Sequence, residues 1–150
     1  MLFRSVKEHF IPIGTASVVR EGDGATVISY GRPLPLCAQV ADEIRHDTGF
    51  AYEVIDLRSI FPYDWKTISA SVLKTGRLLI VNEDTEVTNF GEHLLRRVIE
   101  EHFYDLLVRP RVLFGKHVPG IGLNQVYEQN TVPQLNHIKA AMEELARDEA

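Results

Sequence analysis

The sequence is poor in most features that mark a specialised chain. One cysteine, Cys37, stands among 150 residues. It cannot close an internal disulfide, which excludes a disulfide scaffold and fits a reducing compartment. No apolar run approaches the roughly 20 residues of a membrane span, and Arg4, Lys7 and Glu8 interrupt the place where a signal peptide carries its apolar stretch. Basic side chains are the minority, with 16 Lys and Arg against 21 Asp and Glu, for a net charge of −5. That balance argues against nucleic acid or an anionic membrane as partner, because both call for a basic face. Ten glycines and seven prolines are too few for a collagen-like or low-complexity chain. What is present is a globular composition, 45% hydrophobic and 25% charged. A chain of this length buries roughly 68–70% of its unfolded surface, enough for one core without staples.

Several chemistries are missing as well. There is no G-x-x-x-x-G-K-[ST] and no G-x-G-x-x-G, so neither phosphate-cradling loop is supported. No G-x-S-x-G elbow occurs, which argues against a serine hydrolase of that architecture. His9, His46, His93, His102, His117 and His137 fall at no metal-ligand spacing, and satisfied surface or core roles are the better reading.

The remaining pattern is an alternation of short apolar strands and amphipathic segments, which predicts an α/β sheet with helices on both faces. Residues 16–20 and 26–30 read as strands around the turn Glu21-Gly22-Asp23-Gly24. Leu36, Cys37, Val40, Ala41 and Ile44 share a helical stripe closed by Gly49. Residues 52–57 form a third strand, and Asp64 caps a helix carrying Ile68, Val72 and Leu73 up to Gly76. The apolar run at 78–82 suits a parallel strand covered on both faces. Asn89 and Glu92 stand at capping-box spacing before a helix that buries Leu94, Leu95, Val98, Ile99 and Phe103. A fifth strand spans 112–114, residues 115–132 read as a long loop, and Pro133 opens a last helix with Leu135, Ile138, Met142 and Leu145 on one stripe.

Asn82-Glu83-Asp84-Thr85-Glu86 follows the most apolar strand and precedes a helix start. In open α/β sheets, ligands bind beyond the carboxyl ends of strands, above all where the strand order reverses. Three carboxylates there can hold a cation or a basic side chain, or simply stand as solvated charges. Gly22-Asp23-Gly24 looks like the start of a magnesium-binding thiamine diphosphate motif. The Asn pair such a motif needs 25–30 residues later is absent from Gly49-Phe-Ala-Tyr-Glu53, which leaves a turn rich in Asp and Gly.

The ordered series Pro12 to Gly22, Thr26-Val-Ile-Ser-Tyr-Gly31, Glu53-Val-Ile-Asp-Leu-Arg-Ser-Ile60 with Pro62 and Asp64, Ser71 to Val81, Glu83 and Phe90-Gly91 resembles a known family. It is similar to the C-terminal domain of the β subunit of thiamine-dependent 2-oxo acid dehydrogenases, a transketolase C-terminal-like domain, from about Leu2 to Arg147. The pattern carries His where Asn82 stands and Gly-Gly where Thr88-Asn89 stand, and its counterpart of 116–130 is shorter.

The resemblance implies a three-layer α/β/α fold. Its five-stranded mixed sheet has order 1-3-2-4-5 with strand 1 antiparallel, where local sequence alone would suggest a hairpin between 16–20 and 26–30. The strand reversal then places Tyr30, Gly31 and Arg32 beside Asn82, Glu83 and Asp84 around one crevice. The resemblance further implies that residues 1–13 are a linker remnant from a preceding pyrimidine-binding domain, that 14–150 form the domain, and that Met1 lies within a longer parent. Catalytic, cofactor and metal residues are then expected to be none here, with thiamine diphosphate and magnesium held by the parent's other domains. The implied partners are the α subunit or preceding domains, a second β subunit, and the basic subunit-binding domain of the acyltransferase. That last partner would dock on Glu143, Glu144, Asp148 and Glu149, opposed only by Lys139 and Arg147. The compartment is cytoplasmic, or the mitochondrial matrix in a eukaryote. A small-ligand-binding regulatory module, or the tail of a transketolase or deoxyxylulose-phosphate synthase, remains an alternative.

Overall fold

The structure, a computed structural model, describes residues 11–149; most of the expected linker, and the terminal carboxylate, lie outside them. The strands are β1 (Ser17–Arg20), β2 (Ala25–Ser29), β3 (Tyr52–Asp56), β4 (Leu78–Thr85) and β5 (Arg111–Gly115). The helices are α1 (Pro33–Thr48), α2 (Trp65–Thr75), α3 (Phe90–His102), α4 (Gln125–Thr131) and α5 (Leu135–Arg147), with a 3₁₀ turn at Phe103–Asp105.

The sheet runs β1-β3-β2-β4-β5. β1 is antiparallel to β3, with Ser17 opposite Asp56, and every other pair is parallel. Thus β1 and β2 are not a hairpin, because β3 lies between them. Gly22 explains how the chain passes so close: a Cβ there would lie 2.5 Å from the Ala51 carbonyl oxygen.

Two apolar layers sandwich the sheet. Val27, Val54, Leu79 and Val81 meet α1 and α5 on one face, through Val40, Ile44, Ile138, Met142 and Leu145. Ile28, Leu78 and Ile80 meet α2 and α3 on the other, through Ile68, Val72, Leu94 and Val98. Leu78 to Val81 are fully buried, as a two-faced parallel strand requires. Handedness dictates the helix placement. The crossover from β2 to β3 runs one way along the sheet and those from β3 to β4 and β4 to β5 run the other, so right-handed connections put α1 opposite α2 and α3. The reversal point therefore falls between the carboxyl ends of β2 and β4.

The structure departs from sequence expectation at several places. β4 continues to Thr85, so Asn82, Glu83 and Asp84 are the last part of the strand and not a loop after it. Phe103 and Ile99, expected in the core, are exposed, as is Leu73. α3 gives way to the 3₁₀ turn after His102, which turns Phe103 out of the apolar stripe. The stretch 115–132 contains α4, a helix of seven residues capped by Asn124, whose Oδ1 accepts the Val126 N–H at 2.9 Å. α5 begins at Leu135 and not at Pro133. No helix among the described residues is long and apolar enough to cross a membrane.

Candidate functional site

The sheet brings Tyr30, Gly31 and Arg32, which follow β2, beside Asn82, Glu83 and Asp84 at the end of β4. Gly31 turns the chain into α1 at φ +67°, a left-handed conformation that costs glycine nothing. Arg32 then reaches across the crevice, with Nη1 3.8 Å from Glu83 and 3.1 Å from Glu128 of α4. The Tyr30 phenol is pushed above its ordinary pKa, first by burial and then by the nearby Asp84 carboxylate.

Asn82 is fully buried and its amide is committed to the scaffold. Its Nδ2 donates to Asn89 Oδ1 at 3.1 Å, and its Oδ1 accepts the Asp84 N–H at 3.1 Å. Asn89 in turn accepts the Gly91 N–H at 2.7 Å and donates to the Thr85 carbonyl at 2.7 Å. The expected capping box does not form: Asn89 caps α3 through the Gly91 N–H, and Glu92 takes the Thr88 N–H at 2.7 Å, one residue before the cap. The two asparagines thus lock the end of β4 to the start of α3.

The crevice has a definite charge. Arg32 is bracketed by two carboxylates, and Asp84 adds a third, so basic groups are favoured there over anions. Among the described residues, no three His, Cys, Asp or Glu side chains come close enough to hold a metal ion. Cys37 is buried in α1, and burial pushes its thiol up to about 12, far from the reactive thiolate range.

The C-terminal acidic residues are less free than the sequence suggests. Glu144 and Asp148 bind Arg111 of β5 at 2.7 and 2.9 Å, and Glu143 binds Arg147 at 2.9 Å. Lys139 is turned away to Glu43 at 3.2 Å. Of the four, exposed Glu149 alone has no ion-pair partner among the described residues. The expectation that Lys139 and Arg147 alone oppose this face is thereby corrected: Arg111 does most of the neutralising.

Sequence reading missed Glu128 and Arg111. Asn124 was the one local signal for α4 and so for Glu128; nothing local announces Arg111, which is 33 residues from Glu144. It also missed a polar relay in which Ser69 Oγ lies 2.7 Å from His102 Nε2 and His102 Nδ1 lies 3.3 Å from Asp105. That relay pins α2 to the end of α3. The other described histidines are satisfied too: His93 by Tyr63, His117 by Thr85, His46 by Asp47 and His137 by the Gln134 N–H.

Residues 14–138 match the family model described as transketolase, C-terminal domain. The chain belongs to that family. It is 33% identical over 139 residues to the 2-oxoisovalerate dehydrogenase subunit beta of Bacillus subtilis (strain 168), covering 93% of this chain and 42% of that protein. It is 35% identical over 133 residues to the mitochondrial pyruvate dehydrogenase E1 component subunit beta of Homo sapiens, covering 88% of this chain and 36% of that protein. The chain therefore spans about two fifths of the length of these relatives. A solved structure described as a split gene transketolase, inactive beta4 tetramer, superposes with a TM-score of 0.78 at 19% identity. It covers 93% of this chain and 45% of that one, and it shares the fold.

Within this family domain, Gly22-Asp23-Gly24 does not suit a magnesium diphosphate. Its glycines are used for packing, Gly22 against Ala51 and Gly24 against the Phe50 ring. Glu53, which lines the same hollow, is already paired with Lys74, and Arg45 donates to the Glu21 carbonyl at 3.3 Å. Arg45 and Lys74 line the same surface hollow as Asp23 and disfavour a divalent cation there.

Proposed function

We propose that this chain is the C-terminal assembly domain of the β subunit of a 2-oxo acid dehydrogenase, of the pyruvate or branched-chain type. One observation carries the reading: two β-subunit relatives of that kind each align along some nine tenths of the chain. The parent enzyme decarboxylates a 2-oxo acid with thiamine diphosphate and passes the acyl group to a lipoyl carrier. The domain itself contributes no catalytic group. Its work is mechanical: it holds the β subunit against a second copy and an α subunit, and offers the end of α5 to the basic subunit-binding domain of the acyltransferase. Glu143, Glu144, Asp148 and Glu149 would meet that domain, with Arg111 and Arg147 tempering their charge, so complementarity would act on encounter rate more than on affinity.

A domain exchange tests the reading. Residues 14–150 replace the matching part of the Bacillus subtilis 2-oxoisovalerate dehydrogenase β subunit, and the chimera is co-expressed with that enzyme's α subunit. A co-purifying complex that decarboxylates 2-oxoisovalerate supports it. A folded chimera that neither assembles nor turns over defeats it.

A further inference from the structure

Among the described residues β5 pairs with β4 alone, which makes it an edge strand. Beside it, between β5, residues 130–133 and α5, lies a cavity of about 470 Å³, the size of a small-molecule site. Leu113, Val132, Pro133 and Ala141 give it an apolar floor. Phe114 lines it with main chain, because its ring turns to the other face of the sheet against Gly91. The Gly115 carbonyl accepts the Glu86 N–H at 2.7 Å on the β4 side, whereas the Lys116 N–H turns outwards to the Thr131 carbonyl at 2.8 Å. Alternation along the strand therefore points the N–H and C=O of Phe114 outwards as well.

The cavity is polarised from end to end. Arg111 opens β5 and Lys116 follows it, roughly 17 Å apart along an extended chain. At the first end every guanidinium nitrogen is engaged, Nε and Nη2 by Asp148 at 2.9 Å and Nη1 by Glu144 at 2.7 Å. Nothing is left there to receive an anion, and two carboxylates repel one. At the other end stand exposed Lys116 and His137. His137 Nδ1 accepts the Gln134 N–H at 3.3 Å, which leaves the ring proton on Nε2 as a donor. Among the described residues Glu144 is the one acidic side chain lining the cavity. Glu86 takes the His117 N–H at 3.3 Å from the β4 side and does not line it.

We propose that this cavity binds a small aliphatic monocarboxylate. Lys116, His137 Nε2–H and the outward Phe114 N–H hold the anion, and the apolar chain lies on Leu113, Val132 and Ala141. Charge fixes the direction, because the reversed molecule would set its carboxylate against Glu144. It also fixes the class: a neutral amide forfeits the attraction of Lys116, and a dicarboxylate long enough to span the cavity meets Glu144 with its second anion. The site is separate from the Arg32 crevice and does not depend on the chain being a β-subunit domain.

The test is amide NMR of the full ¹⁵N-labelled chain titrated with hexanoate, with neutral hexanamide and with the dicarboxylate adipate. Lys116→Met, which keeps the aliphatic stem at an exposed position, and Ala141→Phe, which fills the floor, are titrated alongside. The expected result is saturable hexanoate shifts confined to residues 113–116 and 130–141. Hexanamide and adipate should bind at least roughly threefold more weakly, and Lys116→Met should weaken hexanoate by a similar factor, the scale of one exposed ion pair. Ala141→Phe should abolish the shifts; should it disturb the spectrum of the free chain, the comparison of ligands and Lys116→Met decide alone. No saturable shift, or shifts centred elsewhere, overturns the site. Hexanamide binding as well as hexanoate, or Lys116→Met binding like wild type, overturns the assignment of an anion.

Discussion

Asp64 joins two parts of the chain through one carboxylate. It accepts the Thr67 N–H at 3.1 Å and the Thr67 hydroxyl at 2.8 Å, which caps α2, and the Ala16 N–H at 3.1 Å, which fixes the approach to β1. Burial alone would raise its pKa, but these three donors outweigh burial and hold it below the ordinary range. A lowered folded value means that protonation favours the unfolded chain. The stabilisation is complete above the unfolded aspartate value of about 3.9 and fades as pH falls through the lower folded value. Asp64→Ala should cost about 1–2 kcal/mol at pH 7, the range of a lost cap plus one further hydrogen bond. The gap between variant and wild type should narrow as pH falls through the lowered folded value; urea unfolding at pH 7 and in acid measures it. This cap was legible in the sequence because capping acts over three residues. Thr88 was legible only as a departure. It holds φ +65°, where the resembled pattern has glycine, and a β-branched residue is strained there.

At the scale of elements, legibility followed burial. Strands β2 to β4 read as short apolar runs and helices α1, α2, α3 and α5 as apolar stripes, because the strands are covered on both faces and the helices pack on them. α4 packs on little: its apolar residues face outwards, so no stripe of period 3.6 betrays it, and Gly120 and Gly122 read as loop. The same logic explains Phe103, whose spacing fits the α3 stripe although the helix has already ended. Side-chain pairing across elements left no trace at all. Arg111 binds Asp148 through two nitrogens, both at 2.9 Å, and Glu144 at 2.7 Å, while Arg77 reaches the Asp148 carbonyl at 3.3 Å. These bonds fasten the end of α5 to β5. The Arg111 side chain is 19% exposed, Asp148 28% and Glu144 58%, so the pairs are neither fully screened nor fully desolvated. Arg111→Gln should destabilise by about 1–2 kcal/mol, between an exposed pair and a charged hydrogen bond out of water. Amide exchange over Leu145–Asp148 should quicken well before global unfolding, and unchanged protection there would refute the fastening.

The molecule as a whole was the hardest level to reach from residues alone. Local signals favour a hairpin of β1 and β2; only the resemblance put β3 between them, and the sheet has that order. The crevice followed from the same topology, since strand order decides which loops become neighbours. One of the carboxylates that bracket Arg32, Glu128, did not, because it comes from the unrecognised α4. At this scale the prediction concerns what the isolated chain does not do. Glu53 is paired with Lys74 and the glycines of 22–24 are packed, so calorimetry with thiamine diphosphate and magnesium should give no saturable heat. A dissociation constant below about 10 μM, or about 7 kcal/mol, would show that the chain carries a cofactor site after all.

Strand order also sets a timetable. Among the described residues, β1 is the first strand to leave the ribosome, yet its only neighbour there, β3, ends at Asp56. At roughly 5–20 residues per second, β1 must wait on the order of seconds before a partner exists. Ser17-Val-Val-Arg20 is suited to waiting. It is four residues long and closes with an arginine, which in the folded domain binds Asp42 of α1 at 2.7 Å. A nascent chain without β3 leaves only this short strand unpaired at the edge, and the sheet closes there only when translation has passed β3.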